Sequence, residues 1–470
     1  MKKYVASVSL PVGIESAFAY HEHPGALERL IPPWKNVVIE SSDHSLKPGS
    51  VVVLKLKVGP TAVRWVAEHT QYEPPSLFVD VQRSGPFSQW VHHHQFEGTD
   101  HVGCVLRDSV SYRLPFGLLG NFFGASRVKK ELETMFAYRH RVTRDDLKLS
   151  SVCGARPMTI AVSGSSGLVG KKLCAVLTML GHTVIRLERS IDQVDNSSRS
   201  SNPALADAVA PWHSAAEAEK LSGIDAVVHL AGKPIADRRW TDSVKKEMAA
   251  SRIDLTSQLA KSLAALHDPP KVFVCASAIG FYGDRGDEVL TEKSAVGDTF
   301  LAELADQWER SCRAADQAGI RVANARLGVV LDPGGGALKQ MLTPAKLFGG
   351  ALGNGNQWWS WVAIDDVIGA IYHAICNDGV VGPFNVTAPD ALRNRDFAKT
   401  LGRVISRPAL IPAPASALRL ALGEMADALL LSSTHVVPAV LQRTGYEFRF
   451  AKADDALRYL LGIDRLESSE

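Results

Sequence analysis

MTIAVSGSSGLVGKKLCAVLTMLGHTVIRLERS, residues 158–190, decides the fold of this chain. A short apolar run, a glycine turn, an apolar-periodic stretch and a second apolar run predict one βαβ unit. Gly164 permits the tight turn out of the strand, Gly167 lets the backbone approach a pyrophosphate, and Gly170 lets the helix pack close to the sheet. A glycine-rich surface loop would leave this order of elements unexplained, so the segment predicts a dinucleotide site.

Alternating strand and helix patterns continue from this unit to about residue 400. The apolar runs AVVHLAG, KVFVCAS and RVANARLGVVL alternate with helical stretches predicted at 241–266 and 300–318. This alternation predicts an α/β Rossmann domain with a doubly wound parallel sheet over residues 158–400. The mixed remainder, residues 401–465, predicts a small C-terminal lobe.

Residues 1–149 have a different pattern, in which one early strand and helix precede several alternating strands. VVVLKLKV, AVRWVAEH, LFVDVQR, SQWVHHHQF and VLRDSVSYRL are separated by Gly, Pro and Asp turns. A helical pattern over 126–142 closes the segment, so the helix can cover an antiparallel sheet in an α+β fold. The small residues and proline of SSVCGARP, residues 150–157, predict a linker.

This order of elements, with LPFGLLGNFF before the last helix, resembles the START-like helix-grip superfamily, including its polyketide-cyclase and coenzyme-Q-binding branches. The resemblance implies an apolar cavity between sheet and helix that could hold a lipid-like or aromatic ligand. A solid core would give the same apolar pattern. Of His92, His93 and His94, only the first and third share a strand face. We expect hydrogen bonding or solvent exposure for them, and no metal site.

The composition limits the classes of partner and location. A length of 470 residues predicts two to four domains, and 46% apolar with 22% charged residues is typical of a soluble globular protein. The net charge of +2 is small and the basic residues are dispersed, so we expect neither nucleic acid nor membrane as the main partner. Six cysteines without a C-x-x-C pair, and no leader-like or long apolar segment, predict a cytosolic protein without a disulfide framework.

A series of short segments follows the glycine turn between Met158 and about Leu461. They are AGKPIADRRW, SRIDLT, SAIGFYGDRGDEVLTE, DQWE, RLGVVLDPGGGALKQM, GNGNQWWSWVAIDDV, GPFNVTAP and VVPAVLQRTGYEFRF. Through these segments the chain resembles the NAD(P)-dependent epimerase/dehydratase family, a branch of the extended short-chain dehydrogenases. The resemblance implies NAD(P) binding, oxidoreductase or epimerase chemistry on a small-molecule substrate, and a short C-terminal domain.

The predicted cofactor contacts come from the glycine turn and from the ends of two further strands. DAVVHLAG, residues 225–232, would bring backbone close to the adenosine side of the cofactor. Glu188 is the acid expected for NAD, whereas Arg189 suits the 2′-phosphate of NADP. We favour NADP(H) over NAD(H), with Lys171 and Lys172 as helpers. The predicted binding residues are Gly164, Ser165, Ser166, Gly167, Leu168, Val169, Gly170, Arg189, Leu230, Ala231 and Gly232.

The acid/base pair of the wider superfamily is Tyr-x-x-x-Lys, and no tyrosine in this sequence has a lysine four residues on. Where the pair is expected, FLAELADQWE offers Phe300, Leu301 and Ala305. Ala278 takes the place of the supporting serine, so Ser277 and Tyr282 are the remaining catalytic candidates. Tyr282 could carry the proton or only pack against the cofactor ring.

Two functions follow from these observations. The first is an NADP(H)-binding oxidoreductase or epimerase whose N-terminal domain delivers an apolar substrate bearing a hydroxyl or carbonyl. Arg238 and Arg239 beside Trp240 could clamp an anionic substrate, or remain solvated. The alternative is a regulatory or lipid-binding protein that holds NADP(H) without turnover, which the missing Tyr-x-x-x-Lys pair favours.

Overall fold

The computed structural model describes residues 1–58, 61–99, 103–115, 117–150, 154, 156–188, 208–210 and 215–463. An antiparallel sheet under a long helix is followed by a parallel sheet between helices, which confirms the predicted fold class. Within these ranges, every helix is too short or too polar to cross a membrane.

Cys376 is disulfide-bonded, which the cysteine spacing did not predict. The thiols that the structure describes as free, all of them buried, are Cys104, Cys174, Cys275 and Cys312.

The N-terminal sheet has seven antiparallel strands in the order β1-β7-β6-β5-β4-β3-β2. Side chains alternate between its two faces, and the inner face carries the apolar residues that meet the helices. The elements are β1 (Lys2–Leu10), α1 (Ile14–Glu22), α2 (Ala26–Leu30), β2 (Val37–Ser41), β3 (Val51–Val58), β4 (Thr61–Glu73), β5 (Leu77–Ser84), β6 (Gln89–Gly98), β7 (Cys104–Arg113) and α3 (Gly117–Ser150).

Helix α3 is longer than the 17 residues over which the sequence shows apolar periodicity. It spans 34 residues, and its last turns contain the fully buried Asp146. This carboxylate binds Arg29 and Arg449, so contacts outside the sheet stabilise turns that apolar periodicity could not predict. A cavity of about 750 Å³ lies between α3 and the sheet. The structure therefore favours the cavity over a solid core.

The second part of the chain contains alternating short strands and helices. Its strands are β8 (Thr159–Ser163), β9 (Thr183–Leu187), β10 (Ala208–Ala210), β11 (Ala226–His229), β12 (Val272–Ala278), β13 (Val289–Leu290), β14 (Arg321–Leu327), β15 (Val329–Asp332), β16 (Gly349–Leu352), β17 (Trp358–Trp359), β18 (Trp361–Ala363), β19 (Gly382–Val386), β20 (Leu392–Arg393), β21 (Ile411–Ala413) and β22 (His435–Val436). Its helices are α4 (Leu168–Met179), α5 (Ala215–Ala218), α6 (Asp242–Ala250), α7 (Ile253–Ala264), α8 (Phe300–Arg310), α9 (Arg313–Gln317), α10 (Gly336–Lys346), α11 (Ile364–Cys376), α12 (Asn394–Val404), α13 (Ala415–Leu422), α14 (Ala439–Arg443) and α15 (Ala453–Leu461).

The main sheet of this part is parallel, in the order β10-β9-β8-β11-β12-β14-β19. The direction in which strands are added changes between β8 and β11. β9 and β10 follow β8 on one side, and the chain then crosses to the other side of β8, where β11 lies. In doubly wound sheets the ligand crevice opens at this reversal, beyond the carboxyl ends of the strands. The glycine turn after β8 lies at this position.

Two predicted elements are each divided in the structure. The predicted helix 241–266 is α6 and α7, separated at Arg252, whose guanidinium is buried and donates to the carbonyl of Lys233 at 2.8 Å. The predicted run RVANARLGVVL is β14 and β15, separated at Gly328, where a Cβ would lie 2.6 Å from the carbonyl oxygen of Ser360. After this close approach the chain leaves the main sheet and pairs with β18.

The two parts of the chain share a buried ion network. Arg29 of α2 binds Asp146 (Nε to Oδ2, 2.8 Å) and, across the interface, Asp365 of α11 (Nη1 to Oδ1, 2.6 Å). Arg449 reaches back to Asp146 (Nη2 to Oδ1, 2.9 Å). Beside these ions, Tyr138 of α3 stacks on Tyr459 with ring centroids 5.3 Å apart. Each part thus contributes one arginine and one aspartate to a continuous core.

Candidate cofactor and catalytic site

The glycine turn between β8 and α4 is shaped by backbone contacts that leave no room for side chains. Gly164 has a φ of +69°, and a Cβ there would lie 2.7 Å from the carbonyl carbon of Leu230. A Cβ on Gly170 would lie 2.2 Å from the carbonyl oxygen of Gly164. The atoms that either Cβ would meet are backbone atoms, which cannot move aside as the end of a flexible side chain could. Both positions therefore require glycine. The turn is therefore packed tightly between the end of β11 and the start of α4.

Helix α4 begins at Leu168 with its first amide groups uncovered. Gly167 is the N-cap residue and has no side chain with which to cap the helix, so it does not compete with an anion for these amides. Ser166 and Gly167 are exposed, whereas Ser165 is buried and Leu168 and Val169 are half-buried. This arrangement fits the pyrophosphate of a dinucleotide.

The end of β11 closes one side of the turn. The Leu230 amide donates to the carbonyl of Ser163 at 3.1 Å, and the backbone of Leu230 and Ala231 lies directly against Gly164. Gly232 follows at the surface. The structure thus brings together the predicted residues of the turn with Leu230, Ala231 and Gly232, whereas Arg189 lies outside the described residues.

Of the predicted lysine helpers, one is already paired. Lys172 binds the buried Asp332 (Nζ to Oδ2, 3.0 Å), which ties α4 to the loop that follows β15. That loop packs over the start of α4, because a Cβ on Gly335 would lie 3.0 Å from Leu168 Cδ1. Lys171 is exposed. Lys172 therefore has a structural partner, and Lys171 alone remains as a helper.

His229 anchors the end of β11 beneath the turn. It is fully buried, and its Nδ1 lies 2.6 Å from the hydroxyl of Ser163, the last residue of β8. Burial lowers the pKa of His229 from its ordinary 6.5 to about 4. The folded protein therefore keeps this imidazole neutral in mildly acidic solution.

Acidification is expected to destabilise the protein through His229. Below pH 6.5 the unfolded chain binds a proton at this residue, whereas the folded chain does not until about pH 4, so stability falls as the pH drops through this window. His229→Asn keeps a partner for Ser163 but cannot titrate. In urea unfolding at pH 7 and pH 5, we expect this variant to lose about 2 kcal/mol less than the wild type. The exposed His267→Asn serves as control, and equal losses in all three proteins would contradict the prediction.

Polar residues form a row across the carboxyl edge of the parallel sheet. Ser277 of β12 lies opposite Arg326 of β14, which lies opposite Asn385 of β19. Glu309 of α8 covers the row: its carboxylate pairs with Arg326 in a bidentate fork (2.8 Å for both N–O contacts) and accepts the Ser277 hydroxyl at 2.7 Å. Ser277 is therefore held by a carboxylate at the predicted edge of the site.

Tyr282 belongs to the same network. It ends the single helical turn after β12, is fully buried, donates to Asn385 Oδ1 at 2.6 Å and accepts from Arg326 Nη1 at 2.9 Å. Burial raises the pKa of Tyr282, although Arg326 opposes the shift. Both catalytic candidates of the sequence thus meet in one cluster, in which every hydroxyl has a partner.

Glu309, Arg326 and Asn385 were not predicted from sequence. They lie in DQWE, RLGVVL and GPFNVT, three of the segments that carry the family resemblance, and the available signal was a charged or amide residue within a buried strand. Asn385 also donates to the carbonyl of Val437 at 2.9 Å. Glu292 accepts the amides of Asn385 and Val440, both at 3.0 Å. The network therefore also attaches the C-terminal segment to the sheet.

Helix α8 occupies the place of the missing Tyr-x-x-x-Lys pair. Leu301 lies against Gly280, Ala305 packs beside Tyr282, and Phe300 contacts Trp240 edge to face. These positions are apolar and packed. In the described part of this edge, the ionisable groups come instead from Glu309 and Arg326.

The predicted anion clamp is mostly engaged in other contacts. Arg238 binds Glu247 of α6 (Nη2 to Oε2, 2.5 Å), and Trp240 is buried with its indole donating to the carbonyl of Ile235 at 2.8 Å. Arg239 lies against the backbone of Gly423. These residues hold the loop before α6 in place.

Three protein-family models match the chain. The model for the NAD dependent epimerase/dehydratase family matches residues 160–387, and the one for polyketide cyclase / dehydrase and lipid transport matches 10–136. A domain of unknown function matches residues 413–460. An epimerase family protein of Mycobacterium bovis is 36% identical over 301 residues, which cover 64% of this chain and 96% of the relative.

Two solved structures resemble this protein, and each is 32% identical to it in sequence. A nucleoside-diphosphate sugar epimerase from Corynebacterium glutamicum is 32% identical with a TM-score of 0.78, and the match covers 99% of this chain and 91% of that one. The human epimerase family protein SDR39U1, solved with NADPH, is 32% identical with a TM-score of 0.58, covering 65% of this chain and 99% of that one. The first of these shares the N-terminal part as well.

Proposed function

Because this chain belongs to the NAD dependent epimerase/dehydratase family, we propose that it is an NADP(H)-binding oxidoreductase or epimerase. When bound, the nicotinamide would supply or accept hydride at C4, and the substrate would carry a hydroxyl or carbonyl group. The glycine turn is the observation that carries this proposal. Its side-chain-free surface and the uncapped start of α4 suit a pyrophosphate.

The preference for NADP(H) over NAD(H) is supported by two observations. The human relative was solved with NADPH. Arg189 follows Glu188 at the end of the second strand, where an arginine can neutralise a 2′-phosphate. The cytosolic location predicted from the sequence belongs to the same proposal.

Ser277 and Tyr282 remain the proposed catalytic residues, with Arg326 as a positioning residue. The Arg326 guanidinium, which donates to the Tyr282 hydroxyl, would stabilise a phenolate if the proton moved to substrate. Tyr282 can reach substrate only if its cluster opens, because the phenol is fully buried. This burial, together with the apolar residues at the Tyr-x-x-x-Lys positions, supports a second candidate: a protein that binds NADP(H) without turnover.

The N-terminal cavity would hold an apolar ligand. Its walls carry Leu56, Trp65, Trp90, Leu132 and Met135, which suit a lipid-like or aromatic molecule. We propose that this ligand is related to the substrate of the second domain. Native mass spectrometry of freshly purified full-length protein identifies a ligand that co-purifies.

Calorimetry and turnover assays of the full-length protein test the proposal. They also distinguish an enzyme from a protein that binds NADP(H) without turnover. We expect NADPH to bind more tightly than NADH, and Arg189→Ala to weaken NADPH while leaving NADH unchanged. A panel of carbonyl compounds and nucleoside-diphosphate sugars then measures turnover. Activity lost in Tyr282→Phe but kept in Tyr372→Phe, which also removes one buried hydroxyl contact, supports the enzyme. Tight NADPH binding with no turnover supports the second candidate, and no binding of either nucleotide refutes both.

A further inference from the structure

A second cluster of polar side chains lies at the base of the N-terminal cavity, in the other domain. Asp80 of β5 pairs in register with His92 of β6, and His94 of β6 pairs with Asp108 of β7. Residues opposite each other, and residues two apart on one strand, share a face of the sheet. Asp80, His92 and His94 line the cavity, and Asp108 lies buried behind them.

Asp108 holds one nitrogen of each imidazole. Its Oδ1 lies 2.9 Å from His92 Nε2 and 2.9 Å from His94 Nδ1. Asp108 Oδ2 meets His140 Nε2 of α3 at 2.6 Å. A carboxylate can only accept, so each ring directs an N–H to Asp108. The opposite nitrogens, His92 Nδ1 and His94 Nε2, then face Asp80.

These two nitrogens converge on one carboxylate oxygen. Asp80 Oδ2 lies 3.3 Å from His92 Nδ1 and 3.2 Å from His94 Nε2, and the three ligand atoms lie within 4.8 Å of one another. Three lone pairs that converge at these distances repel one another unless a proton or a metal ion lies between them. Ligand atoms of a tetrahedral zinc ion, bonded at about 2.0–2.1 Å, lie about 3.3 Å apart. The spacing of these atoms therefore suits a metal ion.

Protonation of both His92 and His94, without a metal ion, would explain these contacts less well. Two imidazolium rings would have to lie with their centroids 3.7 Å apart, and the positive charge on His92 would be buried. One divalent ion places the same two charges at a single point between all three ligands. The carboxylate behind both histidines is the arrangement that orients metal-binding imidazoles.

We propose that Asp80, His92 and His94 bind one divalent transition-metal ion, for which zinc is the representative, at the base of the cavity. Two histidines and one carboxylate leave coordination positions open to the cavity. A nearby buried histidine, His69, lies opposite Asp80 in register and lines the same cavity. Its Nδ1 has no hydrogen-bond partner among the described residues, so it adds a further imidazole at the site. His92 and His94 are hydrogen-bonded to the two aspartates, as the sequence analysis expects, and the proposed ion goes beyond that expectation.

The open positions specify the kind of ligand that the cavity would take. An apolar body would contact the aromatic and aliphatic walls, and an oxygen donor, such as a carboxylate, phenolate or enolate, would complete the coordination of the metal.

Metal binding by tag-free, full-length protein tests this proposal. After removal of bound metal with a chelator, we expect one equivalent of Zn²⁺ or Co²⁺ to bind, with visible d–d absorption from Co²⁺. Asp80→Asn and His94→Gln should each weaken binding by about 100-fold or more, and Asp108→Asn by about 10- to 100-fold. His93→Gln is the matched control, since His93 lies on the same strand but faces the other side.

The outcome does not depend on any one variant folding. Far-ultraviolet circular dichroism of each metal-free variant identifies those that fold. X-ray absorption at the zinc edge of the wild-type protein should show imidazole and oxygen ligands. Binding well below one equivalent, a zinc shell without imidazole, or unchanged affinity in folded Asp80→Asn and His94→Gln would each overturn the proposal.

Discussion

Gly170→Ala is expected to weaken NADP(H) binding severely and to destabilise the protein by about 1–3 kcal/mol. The added Cβ would lie 2.2 Å from the carbonyl oxygen of Gly164 and 2.9 Å from Ser165 Cα, and both are backbone atoms of the turn itself. Relief requires α4 to move away from the turn, which displaces the amides that would hold the pyrophosphate. We therefore expect the affinity for NADPH to fall by about 100-fold or more in calorimetry.

Gly98→Ala is the control for this substitution, because a Cβ there meets nothing within 4 Å and the position lies in the other domain. It should leave both NADPH affinity and unfolding unchanged. Wild-type NADPH affinity in a folded Gly170→Ala protein would show that the nucleotide does not bind at this turn.

Arg326→Met is expected to cost about 3–5 kcal/mol of stability. The substitution leaves the Glu309 carboxylate, whose side chain is only 11% exposed, without its cation, and it removes the donor to the Tyr282 hydroxyl. Methionine retains much of the side-chain volume, so the loss reports on the charge. Urea unfolding at pH 7 measures it.

Two further variants separate the ion pair from general disruption. The double variant Glu309→Gln/Arg326→Met removes both charges, and we expect it to be more stable than Arg326→Met alone. Arg419→Met breaks a bidentate pair with Asp427 at the surface and should change stability little. If Arg326→Met unfolds at the same urea concentration as Arg419→Met, the buried pair does not have the stabilising role assigned to it.

The sequence predicts the turn well because the constraints there are local. Gly164, Gly167 and Gly170 act within one strand–helix junction, and their spacing alone indicates the geometry. The polar row is different. Ser277, Arg326 and Asn385 become neighbours only through the order of strands in the sheet, and Glu309 reaches them from a separate helix. Spacing along the chain does not contain that information.

The same distinction explains the errors in element length. The sequence predicted α3 only as far as residue 142, because the turns that follow are stabilised by Arg29 and Arg449 and not by an apolar stripe. The predicted helix 241–266 is divided at Arg252, whose guanidinium donates to the carbonyl of Lys233, a residue outside that helix. Both features are tertiary, so local propensity could not predict them.

The buried ion network between the domains limits how a ligand could pass from the N-terminal cavity to the crevice at the glycine turn. The network consists of Arg29, Asp146, Asp365 and Arg449. A swing of one domain relative to the other would break the Arg29–Asp365 and Arg449–Asp146 pairs. Arg29 and Asp146 would keep each other, whereas Asp365 and Arg449 would lose these partners away from water. These two ion pairs therefore hold the two domains together in the arrangement that the structure shows. If the proposed ligand of the N-terminal cavity is passed to the proposed nucleotide site, we expect it to move by diffusion, because a swinging domain would break these pairs.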